Sequence, residues 1–134
     1  MENVEIINRS VIHDMSEGLM TIGLNGIITY VNPAASVILG RAANELTGKK
    51  FASCFFELEE NDGFNQTVLD AVYDTVNPHD SFTSYFTGEV TKQLHIRTSF
   101  LKDGDKKIGI IVVLSDITEL SELRDAVKAM EKIK

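Results

Sequence analysis

Leu19-Met20-Thr21-Ile22-Gly23-Leu24-Asn25-Gly26-Ile27-Ile28-Thr29-Tyr30-Val31-Asn32-Pro33-Ala34 decides the fold. Leu19–Gly23 and Ile27–Val31 are short β-like runs, and Leu24-Asn25-Gly26 separates them. An Asn-Gly pair between such runs predicts a tight hairpin, because both residues tolerate positive φ. Asn32-Pro33 then reads as a helix cap followed by the first helical residue. Ala34–Leu39 forms a short helix on this reading, and Gly40 stops it.

Upstream, Val4, Ile7 and Val11 recur at spacings of three and four with polar residues between them. That pattern predicts an amphipathic helix over about residues 3–16, with Gly18 able to end it. Downstream, Ala42–Leu46 is a brief helical turn broken by Thr47-Gly48. Phe51–Leu58 is apolar but irregular, and its composition leaves a helical turn and a loop equally open. Asn61-Asp62-Gly63 reads as a turn. Phe64, Val68, Leu69, Val72, Tyr73 and Val76 then follow at helical spacing, so a helix is expected over about 64–76, ended by Asn77-Pro78.

Three strands follow. Ser81–Thr87 is rich in β-formers, and Gly88 turns the chain. Val90–Leu101 alternates, with Val90, Leu94, Ile96, Thr98 and Phe100 on one face and Thr91, Gln93, His95, Arg97 and Ser99 on the other. Lys102-Asp103-Gly104-Asp105 carries a second hairpin signal. Ile108–Leu114 is apolar on both faces, which predicts a central strand covered on both sides. Asp116, with Glu119 three residues on, fits the start of a last helix as a capping box in its Asp form. Strands joined by hairpins at both ends imply an α+β fold: one antiparallel sheet with helices on one face. The chain divides into a helix over 1–16, a core over 17–116 and an exit helix over 117–134.

At 134 residues, with 43% hydrophobic and 25% charged, the chain suits one compact domain with a real core. A net charge of −7 argues against a nucleic-acid surface, and the one basic cluster, Lys102–Lys107, is interrupted by Asp103 and Asp105. The longest apolar run, Ile108–Leu114, is too short to span a membrane, and Met1–Val11 lacks the basic start of a signal peptide. A single cysteine, Cys54, excludes an internal disulfide and fits a reducing cytoplasm. The nucleotide-binding glycine motifs, the metalloprotease helix and the serine-hydrolase elbow are absent from the sequence. His13, His79 and His95 fall in different elements, unlike the close pairs of a metal site. A catalytic role is not expected.

The order of elements, with its motifs, resembles the PAS domain family over nearly the whole chain. Gly26–Ala34 is similar to that family's second strand and capped helix. Leu39-Gly40, followed by Glu45-Leu46-Thr47-Gly48-Lys49, is similar to its next conserved stretch. Ile108–Val113 resembles its last strand, and Asp116-Ile117-Thr118-Glu119 its Asp-Ile-Thr junction. The resemblance implies a five-stranded antiparallel sheet whose inner face forms a pocket with the small helices. It also implies a place in a larger signalling chain, carrying a histidine kinase, an adenylate or guanylate cyclase or a phosphatase as effector. Glu131-Lys132-Ile133-Lys134 reads as the middle of a helix and not its end.

The resemblance also tests cofactors. Flavin photosensors of the family place a reactive cysteine just after the glycine matching Gly48; here Phe51 holds that place and Cys54 is displaced by three residues. Cys54 reads instead as a small buried hydrophobe. Haem sensors place an axial histidine on the longer helix, where this chain has Asn65. Asn77-Pro78-His79 resembles their propionate-side motif without that ligand. The cofactor is therefore unknown, with the flavin adduct and haem both disfavoured.

The remaining candidates have two readings each. His79 is a contact for an anionic ligand or a solvated loop histidine. His95 and Arg97 share one strand face, where they either bind a carboxylate or phosphate or lie on the outer surface. Tyr73 and Tyr85 offer hydroxyls to a pocket or pack in the core. Asp116 and Thr118 are the expected joint between sheet and exit helix. Val4, Ile7, Val11, Leu120, Leu123, Val127 and Met130 form the expected seam of a homodimer, the last four in coiled-coil spacing. The leading expectation is a switch in the cytoplasm in which a ligand or a partner domain alters packing at the inner face of the sheet. The rivals are a ligand-free dimerisation spacer and a haem- or flavin-dependent redox or light sensor.

Overall fold

The computed structural model describes residues 16–132, with side chains described through Met130. The expected helix carrying Val4, Ile7 and Val11 lies outside the described residues. Strands β1 (Gly18–Gly23) and β2 (Ile28–Val31) are followed by helices α1 (Pro33–Leu39), α2 (Ala43–Leu46) and α3 (Phe51–Phe55). A single 3₁₀ turn, Glu59–Asn61, leads into α4 (Asp62–Tyr73). Strands β3 (Asp80–Phe86), β4 (Thr91–Asp103) and β5 (Lys106–Asp116) precede the exit helix α5 (Thr118–Lys132).

All neighbouring strands are antiparallel, in the order β2-β1-β5-β4-β3. The last strand is thus the centre of the sheet, as its apolar composition predicts. Its inner face is buried through Ile110, Val112 and Leu114, whereas Ile111 and Val113 on the outer face are only half-buried. Leu94 and Ile96 of β4 and Met20 and Ile22 of β1 extend the inner face, and Ala35, Leu39, Leu46, Phe51, Phe55, Phe64 and Val68 join them from the helices. The β4 alternation places Leu94, Ile96 and Thr98 inward, while Val90 lies before the strand and is exposed.

The local signals act close to where they sit, although Asn25 does not take a positive φ; among the described residues only glycines do. Gly26 has φ of 81° in the β1–β2 turn, and the Asn25 side chain accepts the Ile27 N–H at 3.1 Å. Asn32 caps α1 by accepting the Ala35 N–H at 2.9 Å, and Gly40 ends it at φ 67°. Gly18 opens β1. Its bare Cα lets α1 come close: a Cβ there would stand 2.9 Å from Ala35 Cα. Gly109 is tighter still, because an added Cβ would meet the Ile22 carbonyl oxygen at 2.3 Å.

Both ends of α4 differ from the sequence reading. Asn61-Asp62-Gly63 is no turn: α4 begins at Asp62, and the Asn61 side chain is spent on β3, accepting the Phe86 N–H at 2.7 Å and donating to the Phe86 carbonyl at 2.9 Å. The other end of α4 falls at Tyr73, three residues before Val76. The Asp74 carboxylate takes the Val76 and Asn77 N–H groups at 2.8 and 2.9 Å, so an Asx turn outcompetes the helix before Pro78 is reached. The undecided Phe51–Leu58 stretch resolves as α3 and a short loop.

Candidate functional site: inner layer, outer charge row and signalling joint

The inner layer is aromatic. Phe51 stacks on Phe55 at 4.7 Å between centroids, and Phe64 meets Phe55 at 5.6 Å and Tyr85 at 4.9 Å, both edge-on. Such pairs favour offset and edge-to-face contact, and they fill the space between α3, α4 and β3. The Tyr85 hydroxyl donates to the Leu39 carbonyl at 2.7 Å, and burial pushes the phenol up to about 12. Beside it lies a cleft of about 40 Å³, bordered by Arg41, Cys54, Phe55 and Tyr85, with room for about one water. Arg41 donates to the Cys54 carbonyl at 2.8 Å, with its guanidinium over the Phe55 ring. Cys54 itself is buried.

This layer bears on cofactors. Phe51, at the adduct-cysteine position, is a fully buried core ring. Asn65, at the haem-ligand position, is buried, and its amide nitrogen donates to the Phe55 carbonyl at 2.9 Å. Its Oδ1 has no partner among the described residues. These side chains do not fit a flavin adduct or an axial haem ligand.

The other candidate ligand contacts are dispersed. Tyr73 is 75% exposed at the end of α4, so its hydroxyl faces water and not a pocket. His79 Nε2 lies 2.8 Å from Asp74 Oδ2, within the loop. The N–H groups of Asn77 and Val76, and then His79, hold the Asp74 carboxyl down at about 2. Lys107 closes this corner by donating to the Val72 and Asp74 carbonyls at 3.2 and 2.7 Å, with its ammonium over the Phe100 ring. In the same way Lys92 donates to the Val37 and Ile38 carbonyls at the end of α1. Each lysine supplies charge to a helix C-terminus, where the dipole favours it.

His95 and Arg97 lie on the outer face of the sheet. His95 Nε2 is 2.6 Å from Asp80 Oδ1, and its ring stacks on Phe82 at 4.4 Å. Arg97 pairs with Glu17, the residue before β1, and the same carboxylate oxygen accepts from the Ser115 hydroxyl. Ser115 first, then Arg97, with His95 adding, keep the Glu17 carboxyl below its ordinary value against a partial desolvation. Sequence reading missed Glu17. Its partners are 80 and 98 residues away, and only the strand register brings them together.

The joint is compact. The Ile117 N–H donates to the Gln93 carbonyl at 2.9 Å. The Gln93 N–H donates to Thr118 Oγ1 at 3.0 Å. Thr118 in turn gives its hydroxyl and its N–H to Asp116 Oδ1, at 2.5 and 3.0 Å. Asp116 therefore serves the residue two positions on, in the Asx form, and not the Glu119 N–H of the expected capping box. Gln93, another residue sequence reading missed, contributes only its backbone, which leaves no side-chain signal. Beyond the joint, Leu120, Leu123, Val127 and Met130 are all exposed along α5.

The sheet thus buries one face under small helices and bonds its end to an outgoing helix. A profile of the PAS fold matches residues 7–117, and the chain belongs to that family. It is a PAS sensor domain similar to those of histidine kinases. The signal transduction histidine-protein kinase AtoS of Escherichia coli K12 is 27% identical over 135 residues, spanning 99% of this chain and 21% of that protein. An RNA-binding light-oxygen-voltage receptor superposes with a TM-score of 0.73 at 16% identity, over 100% of this chain and 39% of the other. The PAS domain of a Colwellia psychrerythraea protein gives a TM-score of 0.69 at 11% identity, over 87% and 98%. These two likenesses speak to fold. Among the described residues, no helix is long and apolar enough to cross a membrane.

Proposed function

We propose that this domain is the sensory relay of a histidine-kinase-type signalling protein, that it works as a homodimer in the cytoplasm, and that α5 passes its state to a following effector domain. The observation that carries this is the joint. Gln93 on β4 holds both Ile117 and Thr118, so a shift of the sheet is a shift of the first turn of α5. The stripe Leu120–Leu123–Val127–Met130 is left in water on the monomer, and a parallel partner helix would bury it. Fifteen residues of helix are marginal alone, so the dimer would also draw on the core domains.

Asp116→Ala in the full-length protein tests the coupling. The loss of one local cap costs about 1 kcal/mol, so the fold is kept while the effector loses its response; an unchanged response would overturn the reading. Sedimentation of this chain tests the seam: a concentration-dependent dimer that becomes a monomer in the Leu123→Glu, Val127→Glu double variant supports it. The aromatic inner layer favours a relay without a large planar cofactor, so the ligand-free spacer remains the second reading. On the ligand-responsive reading, Asn65 and Tyr85 are the inner-side contacts, and His79, His95, Arg97 and Tyr73 act elsewhere. Native mass measurement separates the two readings, through retained small-molecule mass or its absence.

A further inference from the structure

The outer face of the sheet carries a row of polar contacts that the joint does not use. It begins at Glu17, where the preceding segment meets β1, and runs through Ser115 on β5 to Arg97 on β4. Arg97 is paired in register with Asp80 of β3, and Ser115 with His95. Ser115 immediately precedes Asp116, the residue that holds Thr118. Glu17 is also gripped from the other side, since its carbonyl accepts from the Asn32 side-chain amide at 3.2 Å. One residue, next in sequence to the start of the described chain, thus bonds the corner before α1 and the last residues before the exit helix.

We propose that Glu17 is a relay residue linking the segment that enters the domain to the helix that leaves it, across the outer face and independently of the inner layer. In the clasped state the Glu17 carboxylate holds Ser115 and Arg97, which fixes the end of β5 and, through Asp116 and Thr118, the first turn of α5. A pull or rotation of the incoming segment withdraws Glu17, frees Ser115 and loosens that turn. The coupling is mutual, because any state of α5 that displaces Ser115 weakens the hold on the incoming segment. This rests on the reading of α5 as the output element, and it adds an input that needs no bound molecule.

Hydrogen exchange on this chain, read residue by residue, tests the relay. Glu17→Ala and Ser115→Ala are each expected to speed exchange at Thr118–Ser121 about two- to fivefold, the range for a half-exposed ion pair and hydrogen bond. The double variant should do no more than the stronger single change, as expected for two members of one contact. Glu17→Gln, which keeps the size and removes the charge, should fall between. Unchanged exchange at Thr118–Ser121 in Glu17→Ala would overturn the relay. So would a rise shared equally by Ile110–Val112, which would make Glu17 a general stabiliser of the sheet. In the full-length protein, loss of effector response in Asp116→Ala with a normal response in Glu17→Ala would remove the relay and leave the output reading intact.

Discussion

Asn32→Ala should be among the most damaging single polar substitutions in the domain. The side chain is fully buried, and its one oxygen serves two N–H groups, from Leu19 at 2.8 Å and from Ala35 at 2.9 Å. Loss of the α1 cap costs about 1 kcal/mol. The Leu19 N–H, left without its acceptor in a part-buried site, adds about 1–3 kcal/mol. Together they remove about 3 kcal/mol, a large share of the stability of a domain this size. In urea, with a slope of about 2 kcal/mol per molar, the midpoint should fall by about 1.5 M with the slope unchanged. Asn32→Ser separates the two contributions: its hydroxyl can still cap α1 but is too short to reach Leu19, so about 2 kcal/mol should be lost. A loss below 1 kcal/mol for Asn32→Ala, or wild-type behaviour of Asn32→Ser, would refute the assignment of one oxygen to two donors.

Tyr85→Phe should cost about 1 kcal/mol by leaving the Leu39 carbonyl without its donor. The phenol is raised from 10 to about 12 in the folded protein, so its contribution is full below pH 10 and is lost as pH rises toward 12; an ultraviolet titration should lose one late-ionising tyrosine in the variant. Asp74 is lowered to about 2 from 3.8, so its contribution is present above pH 3.8 and disappears as pH falls toward 2. The urea midpoints of wild type and Asp74→Asn should therefore converge over that window and differ above it. Gly109→Ala drives a methyl group into the Ile22 carbonyl at the β1–β5 contact. It should lower stability by about 3 kcal/mol in the same urea assay, near the upper end of overpacking costs.

Much of the backbone plan was legible because the signals were local. Asn25-Gly26, Asn32-Pro33 and Gly40 act within a few residues of themselves, and the β4 alternation reports one buried face directly. Helix α4 was misread at both ends for one reason. Asn61 and Asp74 each have a side chain that competes for backbone groups, and whether it does so depends on what lies opposite. Asn61 finds β3, 25 residues away, and Asp74 finds its own next turn. The candidate contacts fared by the same logic. Asp116 and Thr118 sit at a local junction where their side chains bond each other, whereas their partner Gln93 acts through its backbone from 25 residues away. Tyr73 has the same residue type as Tyr85, yet as the last residue of α4 it lies on the opposite side of the helix from Phe64 and faces water.

The Asn61 contact also constrains how copies of this domain can meet. A sheet ends in two strands whose outward N–H and C=O groups invite another strand. Here the Asn61 amide occupies both groups of Phe86 on the β3 margin. On the β2 margin, Ile28 gives its N–H to Lys49 and its carbonyl to the Gly48 N–H, while Gly26 accepts from Phe51. Those groups are spent within the chain, so a strand added at either margin would find no partner at Phe86 or at Ile28.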